Sequence, residues 1–307
     1  MNKNKCLFNR YIKVIFTFRN KNEDYDFSLD TSFIDIEATV SLDTNLEKED
    51  HSIYSNKANI TFYNLPLKIK NELIEDTPLT IIAGYLDSEE SQGIIYKGII
   101  ENVTENSDGT TTKTQIQCSE ANDEFQKIKY IISVNKPNIK ASEIIKSISE
   151  NSKLEFEEPQ FGNDIIYTRG RTYNGTLKQV IQSIAKDTDS HAFLSKRRIV
   201  FLAKENPVMD EIICDIEKIK SISEIDSGYT IDSIFDHRME PNYKLSIKYD
   251  GDRFTKKLEG TYLITKVEHI LSVDTGSFST KLEILDELKL TQIKENSNME
   301  KEIKIEI

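Results

Sequence analysis

In the first third of the chain, apolar and polar residues alternate with the period of two that is typical of a half-buried β-strand. The clearest case is residues 34–42, where every second side chain is apolar: Ile34, Ile36, Ala38, Val40 and Leu42. The same alternation predicts five further strands, over 11–18, 58–63, 79–85, 94–103 and 112–118. Asp108 and Gly109 predict a hairpin turn between the last two, because glycine accepts the positive φ that such turns require.

A single short helix is predicted within this array, after Asn64, Leu65 and Pro66, because proline is tolerated in a first helical turn. Strands with one solvated face are best closed or capped, since open sheet edges invite aggregation. The first third of the chain is therefore expected to form a small β-barrel.

The middle third changes to the period of an α-helix. Apolar residues at i, i+3, i+4 and i+7 predict helices over 140–151 and 176–187. Thr176 and Gln179 have the spacing of a capping box at the start of the second helix. Residues 192–195 and 199–203 then predict a hairpin that turns through Lys196 and Arg197. This pattern indicates a compact α+β insert.

The period-two alternation returns in the last third and predicts strands over 243–249 and 278–284. A faint internal repeat links this region to the first third. Gly98–Val103, Asp108-Gly109 and Thr114–Ile116 parallel Gly260–Val267, Asp274–Gly276 and Thr280–Leu282. The repeat favours two related barrels over one large sheet.

The predicted fold is mainly β, with two related small β-barrels that flank a helical middle segment. The expected divisions are residues 1–128 for the first barrel, 129–220 for the α+β middle domain, 221–286 for the second barrel and 287–307 for a C-terminal tail. The tail ends in an alternating stripe, Glu302–Ile307, which is too short to form a sheet alone. Two interpretations of the stripe stay open: a frayed terminus, or a strand that adds to the sheet of a partner.

The composition excludes several classes of protein. The 307 residues include 40 Lys and Arg against 52 Asp and Glu, a net charge of −12 that repels phosphate, so specific nucleic-acid binding is not expected. Apolar runs such as 79–86 are far shorter than the roughly 20 residues that a membrane span needs. The N-terminus has no secretory signal pattern, which predicts synthesis in the cytoplasm. Cys6, Cys118 and Cys214 match neither a disulfide framework nor a zinc motif and are interpreted as reduced thiols.

No residue set with catalytic or metal-binding spacing emerges. The four histidines, His51, His191, His237 and His269, are scattered. Asp236 beside His237 could orient an imidazole, but no nucleophile or oxyanion donor is identifiable nearby. Cys118 falls on the inward-facing positions of a predicted strand, as a core residue does. We therefore expect a protein that is not an enzyme, without catalytic, cofactor-binding or metal-binding residues.

Two clusters of charged residues could also bind a ligand. Arg169 and Arg171 are interpreted as partners of acidic residues at a domain or subunit seam, with an anionic ligand as the open alternative. Asp87, Glu89 and Glu90 lack the ligand spacing of a calcium loop and are interpreted as solvated loop charges.

Several segments, in order, resemble the baseplate hub proteins of contractile phage tails, the late control protein D and prophage tail hub family. Ala58–Leu65, Thr80–Tyr85 and Ile95–Val103 are similar to that family's first barrel. Tyr173–Ala185 is similar to its inter-barrel segment, and Leu258–His269 with Phe278–Leu282 to its second barrel. The resemblance extends over residues 9–286.

The resemblance implies a homotrimer with two barrels per chain, which adapts a sixfold tail tube to a threefold central spike. It also implies contacts with the tail tube protein, the central spike protein, the tape-measure protein and the baseplate wedge proteins. The protein would then belong to the baseplate of a virion or tail-like particle, assembled in the bacterial cytoplasm. Neither a hydrolase module nor a spike repeat follows residue 286, so those activities are expected on separate chains.

The family resemblance does not distinguish a phage tail from a contractile bacteriocin or another injection system. The alternative from a different class is a carbohydrate-binding β-protein of a tail or cell surface, which would expose aromatic platforms for sugar rings. The chain has no Trp, which disfavours that alternative. A small hydrolase, the third alternative, lacks the nucleophile, base and oxyanion donors described above.

Overall fold

The computed structural model describes residues 9–19, 24–44, 53, 55–87, 89–121, 123–152, 154–226, 228–248, 260–273 and 276–286. The fold is mainly β, as the alternation predicted, with a helical segment in the middle of the chain. The tail and its stripe Glu302–Ile307, together with Cys6 and His51, lie outside the described residues.

The first third forms seven strands, of which six were predicted. They are β1 (Arg10–Arg19), β2 (Asp24–Asp30), β3 (Ile36–Asp43), β4 (Lys57–Tyr63), β5 (Pro78–Tyr85), β6 (Gly93–Asp108) and β7 (Thr111–Ser119). The predicted helix is one turn long, α1 (Leu67–Lys70), and another short helix, α2 (Asp123–Gln126), follows β7. The β6–β7 turn has Gly109 at φ +62°, which confirms the predicted hairpin.

The middle third contains both predicted helices. Its elements are β8 (Lys129–Val134), β9 (Ile139–Lys140), α3 (Ala141–Asn151), β10 (Glu155–Phe156), β11 (Ile166–Tyr167), β12 (Arg171–Thr176), α4 (Leu177–Asp187), β13 (Ser190–Ser195) and β14 (Arg198–Ala203). Both halves of the capping box are present: the Gln179 backbone N–H donates to Thr176 Oγ1, and the Thr176 backbone N–H donates to Gln179 Oε1. Apolar faces of α3 and α4 pack with β9, β13 and β14 around a core of their own.

The last third contains six strands: β15 (Glu211–Asp215), β16 (Ile219–Ile225), β17 (Gly228–Ile234), β18 (Lys244–Lys248), β19 (Gly260–Ser272) and β20 (Phe278–Asp286). Strands β18 and β20 were predicted from their alternation, and the internal repeat indicated β19 as the counterpart of β6. Strands β15, β16 and β17 were not.

The strands of the first and last thirds belong to a single sheet, with the order β16-β17-β20-β19-β3-β4-β7-β6-β5-β1-β2, while β18 pairs with β19 and β15 with β18. The two thirds join where β3 pairs antiparallel with the second half of β19, from Lys266 opposite Asp43 to Ser272 opposite Glu37. The two regions that were predicted as barrels are therefore joined by backbone hydrogen bonds at this seam. Buried residues of both thirds share one hydrophobic core.

The internal repeat is present in the pairing of the strands. The β6–β7 hairpin has a bulge with Glu101 as the extra residue, and Val103 follows two positions later. The β19–β20 hairpin has its bulge at Thr265, and Val267 again follows two positions later. The two hairpins therefore share the same bulge at the same position of the repeat.

Candidate functional site

A buried polar junction connects the middle segment to the first and last thirds of the chain. The carboxylate of Glu120, just after β7, accepts hydrogen bonds from the Lys196 backbone N–H (2.7 Å) and from Asn56 Nδ2 (2.9 Å). The same Asn56 amide donates to the backbone carbonyl of Leu194 (3.1 Å). Glu240, from the last third, forms an ion pair with the ammonium of Lys196. Three distant parts of the chain thus meet at the tip of the β13–β14 hairpin.

The Glu120 carboxylate is an unusual charge to bury, since its side chain has 0% exposure. Burial raises the pKa of Glu120 to about 7, and the hydrogen bonds from Lys196 and Asn56 oppose that rise. The proton equilibrium of this group therefore lies near neutrality.

The hairpin that reaches the junction has a turn of two residues with positive φ, Lys196 at 51° and Arg197 at 64°. Turns of this kind favour asparagine and glycine, because a Cβ atom is crowded in the left-handed region. The contacts of Lys196 with Glu120 and Glu240 offset that local strain. The junction therefore attaches the middle segment to the sheet.

In the Asp236–Glu240 cluster, Asp236 contacts cationic side chains and His237 contacts backbone groups. Burial opposes ionisation of Asp236, but the hydrogen bonds and ion pair from Arg238 (2.6 Å), helped by Lys218 (3.6 Å), lower its pKa to about 2. The His237 ring lies against the backbone of Gly93, where an added Cβ would come within 2.1 Å of the imidazole Cδ2. Burial lowers the pKa of His237, and the ring bonds to the backbone of Ser91. The carboxylate of Asp236 thus forms ion pairs with Arg238 and Lys218.

A cleft of about 370 Å³ lies beside the Asp236–Glu240 cluster. Its lining mixes both signs of charge and includes Lys196, Asp210, His237, Arg238, Glu240 and Tyr243. Lys196 pairs with Glu240, and Arg238 with Asp236, so two of these cations are already neutralised.

The other candidate side chains serve the core. Cys118 and Cys214 are buried, and burial raises the pKa of the Cys118 thiol well above its usual range. His269 is fully buried, its Nδ1 lies 2.9 Å from Thr280 Oγ1, and burial lowers its pKa to about 3. His191 lies half-buried on β13.

Arg171 pairs with an acidic residue, as predicted, and that residue belongs to the middle segment itself. Its guanidinium contacts Asp187 (2.7 Å) and lies over the rings of Tyr167 (4.8 Å) and Tyr173 (5.1 Å). The Tyr167 hydroxyl donates to the same carboxylate (2.9 Å). Arg169 is exposed. These contacts join the start of β12 to the end of α4.

Within the described ranges, no group of three or more His, Cys, Asp or Glu side chains is placed to hold a metal ion. In the acidic loop after β5, the Asp87 carboxylate accepts from Asn9 Nδ2 (2.6 Å). None of the described helices is long and apolar enough to cross a membrane.

The junction residues Glu120, Asn56 and Lys196 carry no motif, so the sequence does not single them out. The only local signal is the unusual turn, two cationic residues where asparagine and glycine are preferred.

The sequence matches no protein-family model and no curated protein. The fold, in contrast, is similar to solved tail proteins. A tail protein from Neisseria meningitidis MC58 aligns with a TM-score of 0.59 at 9% identity, over 91% of this chain and 97% of that chain. The 43 kDa tail protein of prophage MuSo2 from Shewanella oneidensis aligns with a TM-score of 0.57 at 8% identity, over 91% and 98%.

A third similar structure comes from a secretion machine. It is an Escherichia coli component of the type VI secretion system, described as similar to the bacteriophage T4 tail proteins gp27 and gp5. The TM-score is 0.55 at 9% identity, over 82% of this chain and 73% of that chain. At these identities the likeness shows a shared fold, and the fold of this chain is that of phage tail proteins, as the resemblance implied.

Proposed function

We propose that this protein is a structural baseplate hub of a contractile phage tail or tail-like particle, in which three copies form a ring between a sixfold tail tube and a threefold spike. The observation that carries the proposal is the repeated hairpin, with its bulge at Glu101 in one copy and at Thr265 in the other, inside one sheet. Two similar units per chain supply six similar positions in a ring of three.

The face of the sheet that points away from the core supports this role. On β3, β4 and β7 it includes Glu37, Thr39, Ser41, Asn59, Thr61, Gln115 and Gln117, all exposed or half-buried. On β19 and β20 it carries the cross-strand ion pairs Lys266–Glu283 (2.6 Å) and Lys281–Glu268 (3.8 Å). A surface of this kind suits the wall of a water-filled channel.

The proposed role is not enzymatic. The similar solved structures are tail and secretion-system proteins, and His237, which follows Asp236 in the sequence, contacts the backbone at Gly93 and Ser91. The proposed partners are further copies of the chain, the tail tube, the spike, the tape-measure protein and the baseplate wedges. The division at residues 128, 220 and 286 stays a prediction.

The test is the mass and the shape of the purified protein. Light scattering at micromolar concentration and moderate salt is expected to report a trimer, or a monomer that forms a trimer when its spike partner is added. Negative-stain images of that species are expected to show a threefold ring with an open centre. A stable dimer or tetramer would overturn the hub, because neither bridges six to three.

A further inference from the structure

The β6–β7 hairpin ends in a turn that is open to solvent. Its two central residues are Gly109 and Thr110, between the paired residues Asp108 and Thr111. Asp108, Gly109 and Thr110 are all exposed. Gly109 has a φ of +62°, and no described atom beyond its chain neighbours lies within 4 Å of the position that a Cβ atom would take. The backbone nitrogen of Gly109 is therefore in an uncrowded place.

An aspartate followed by glycine in such a turn has a reaction available within its own backbone. The nitrogen of Gly109 attacks the side-chain carbon Cγ of Asp108, a C–N bond forms, and the carboxyl hydroxyl leaves with the amide proton as water. The product is a five-membered succinimide ring. Water then adds at the backbone carbonyl carbon and opens the ring, which leaves Asp108 joined to Gly109 through its side chain as isoaspartate. Glycine favours the attack because it has no Cβ atom to hinder the nitrogen.

A second candidate for this reaction, Asn174-Gly175, lies in β12. In an unfolded chain asparagine forms the ring more readily than aspartate does, because its amide is neutral and an ionised carboxylate resists attack. In the folded chain Asn174 pairs with Ile131 on β8. Gly175 is buried, and an added Cβ atom would lie 2.6 Å from Gln179 Oε1. The ring also requires a rotation about the Cα–C bond that an extended strand does not have.

The two sites differ in the local opening that the reaction needs. At Asp108 only the last pair of a hairpin has to separate, and exposed turns open at little cost in free energy. At Asn174 the opening separates β12 from β8 and moves Gly175 away from Gln179, whose side chain accepts from the Thr176 N–H at the start of α4. The order of reactivity in the folded chain is therefore the reverse of the order in the unfolded chain.

We propose that Asp108 is a site of spontaneous isoaspartate formation in the folded protein, and that the fold protects Asn174-Gly175 from the same kind of reaction. This covalent modification is independent of the proposed hub and of its trimer. A further pair of this type, Asp250-Gly251, lies outside the described residues.

The modification has a structural consequence, because isoaspartate adds one carbon to the main chain of the turn. The Thr112 backbone N–H donates to Asn64 Oδ1 (3.0 Å), and the Asn64 N–H donates to the Thr112 carbonyl (2.7 Å). Loop length fixes the register of a hairpin, so a longer turn weakens the pairing at Thr112 and these two bonds. Amide hydrogen exchange at Asn64 and Thr112 is therefore expected to be faster in the modified molecules.

The experiment compares the full chain incubated in its folded state with the same chain incubated in urea, both at physiological temperature. Trypsin places the two sites in separate peptides, residues 98–113 and 172–178. Isoaspartate leaves the mass of the first peptide unchanged and gives a second chromatographic peak, which protein isoaspartate methyltransferase methylates. Deamidation raises the mass of the second peptide. In the folded protein the modified fraction at Asp108 is expected to exceed that at Asn174 by about tenfold or more, and in urea the order is expected to reverse.

Asp108→Glu is the matched variant, because glutamate keeps the charge and forms a larger ring more slowly. It is expected to lose the second peak of the peptide 98–113 and to unfold at the same temperature as the wild type. A second peak that persists in this variant would assign the modification to another residue and overturn the proposal.

Two results with the wild type would also overturn it. One is a folded protein without isoaspartate at Asp108 after an incubation in which the urea sample forms it. The other is faster modification of Asn174 than of Asp108 in the folded protein, which would show that β12 gives no protection.

Discussion

Glu120 illustrates how position in the fold, and not residue type, sets the properties of a side chain. Glutamate is normally exposed, yet here it lies fully buried beneath the tip of a hairpin. Its carboxylate accepts hydrogen bonds from the backbone N–H of Lys196 and from the side-chain amide of Asn56. These hydrogen bonds serve the structure, although burial disfavours the ionised form of the group.

The raised pKa of Glu120 makes stability depend on pH. Because the folded-state pKa of about 7 lies above the ordinary value of 4.5, its contribution is fully present below pH 4.5 and is lost as the pH rises through 7. Glu120→Gln cannot ionise. We expect the unfolding free energy of the wild type, relative to this variant, to fall by up to about 3 kcal/mol between pH 5 and 8.

Urea denaturation at several pH values measures that difference. Glu155→Gln is the matched control, because Glu155 is exposed on β10. A pH-independent difference for Glu120→Gln would contradict the raised pKa.

Cys118 and His237 are expected to be dispensable for assembly. Cys118→Ala removes a buried sulfur and is expected to cost about 1 kcal/mol of stability. His237→Ala removes a ring that packs against Gly93, with a cost of similar size. Light scattering of both variants is expected to match the wild type. Particles of normal appearance that have lost their activity would argue for a chemical role.

At the scale of elements, the start of α4 is fixed by local chemistry. The Thr176 hydroxyl satisfies one of the backbone donors that every helix leaves open at its first turn. Because α4 packs against β12 and β13, this cap also positions the hairpin that reaches the junction.

Thr176→Ala is expected to lower the unfolding free energy by about 1 kcal/mol, because it removes the acceptor for the Gln179 N–H. Thermal or urea unfolding measures the loss. Thr168→Ala, at an exposed position before β12, is the control and is expected to change stability by less than about 0.5 kcal/mol. Equal stability of the two variants would show that the cap is unimportant.

At the scale of the whole molecule, charge opposes the proposed ring. Each chain carries a net charge of −12, so three chains crowd acidic groups around one channel. Salt shortens the range of this repulsion to about 8 Å at physiological strength. The concentration needed for trimer formation is therefore expected to fall as salt rises.

Sedimentation or light scattering over a salt series tests this expectation. Sodium chloride is compared with sucrose at matched osmolarity, since sucrose does not screen charge. A trimer that dissociates as sodium chloride increases would show that ion pairs, and not general repulsion, dominate the contact.

The sequence by itself determined the elements whose pattern is local. The alternation of Ile36, Ala38, Val40 and Leu42, the capping box of Thr176 and the Gly109 turn depend on neighbouring residues, and all three are present. The repeat was also readable, because the bulged hairpins keep their apolar positions in the same register. These features rest on short-range geometry, which the order of residues fixes directly.

Only the tertiary structure decided the remaining features. Strand β2 is rich in aspartate, which disfavours strands, and forms because β1 supplies its pairing partner. A bulge after Ile219 disrupts the alternation in β16 and hides it from a period-two search. The β3–β19 seam and the burial of Glu120 join residues far apart in the chain. Such contacts depend on how distant surfaces pack, which no local pattern encodes.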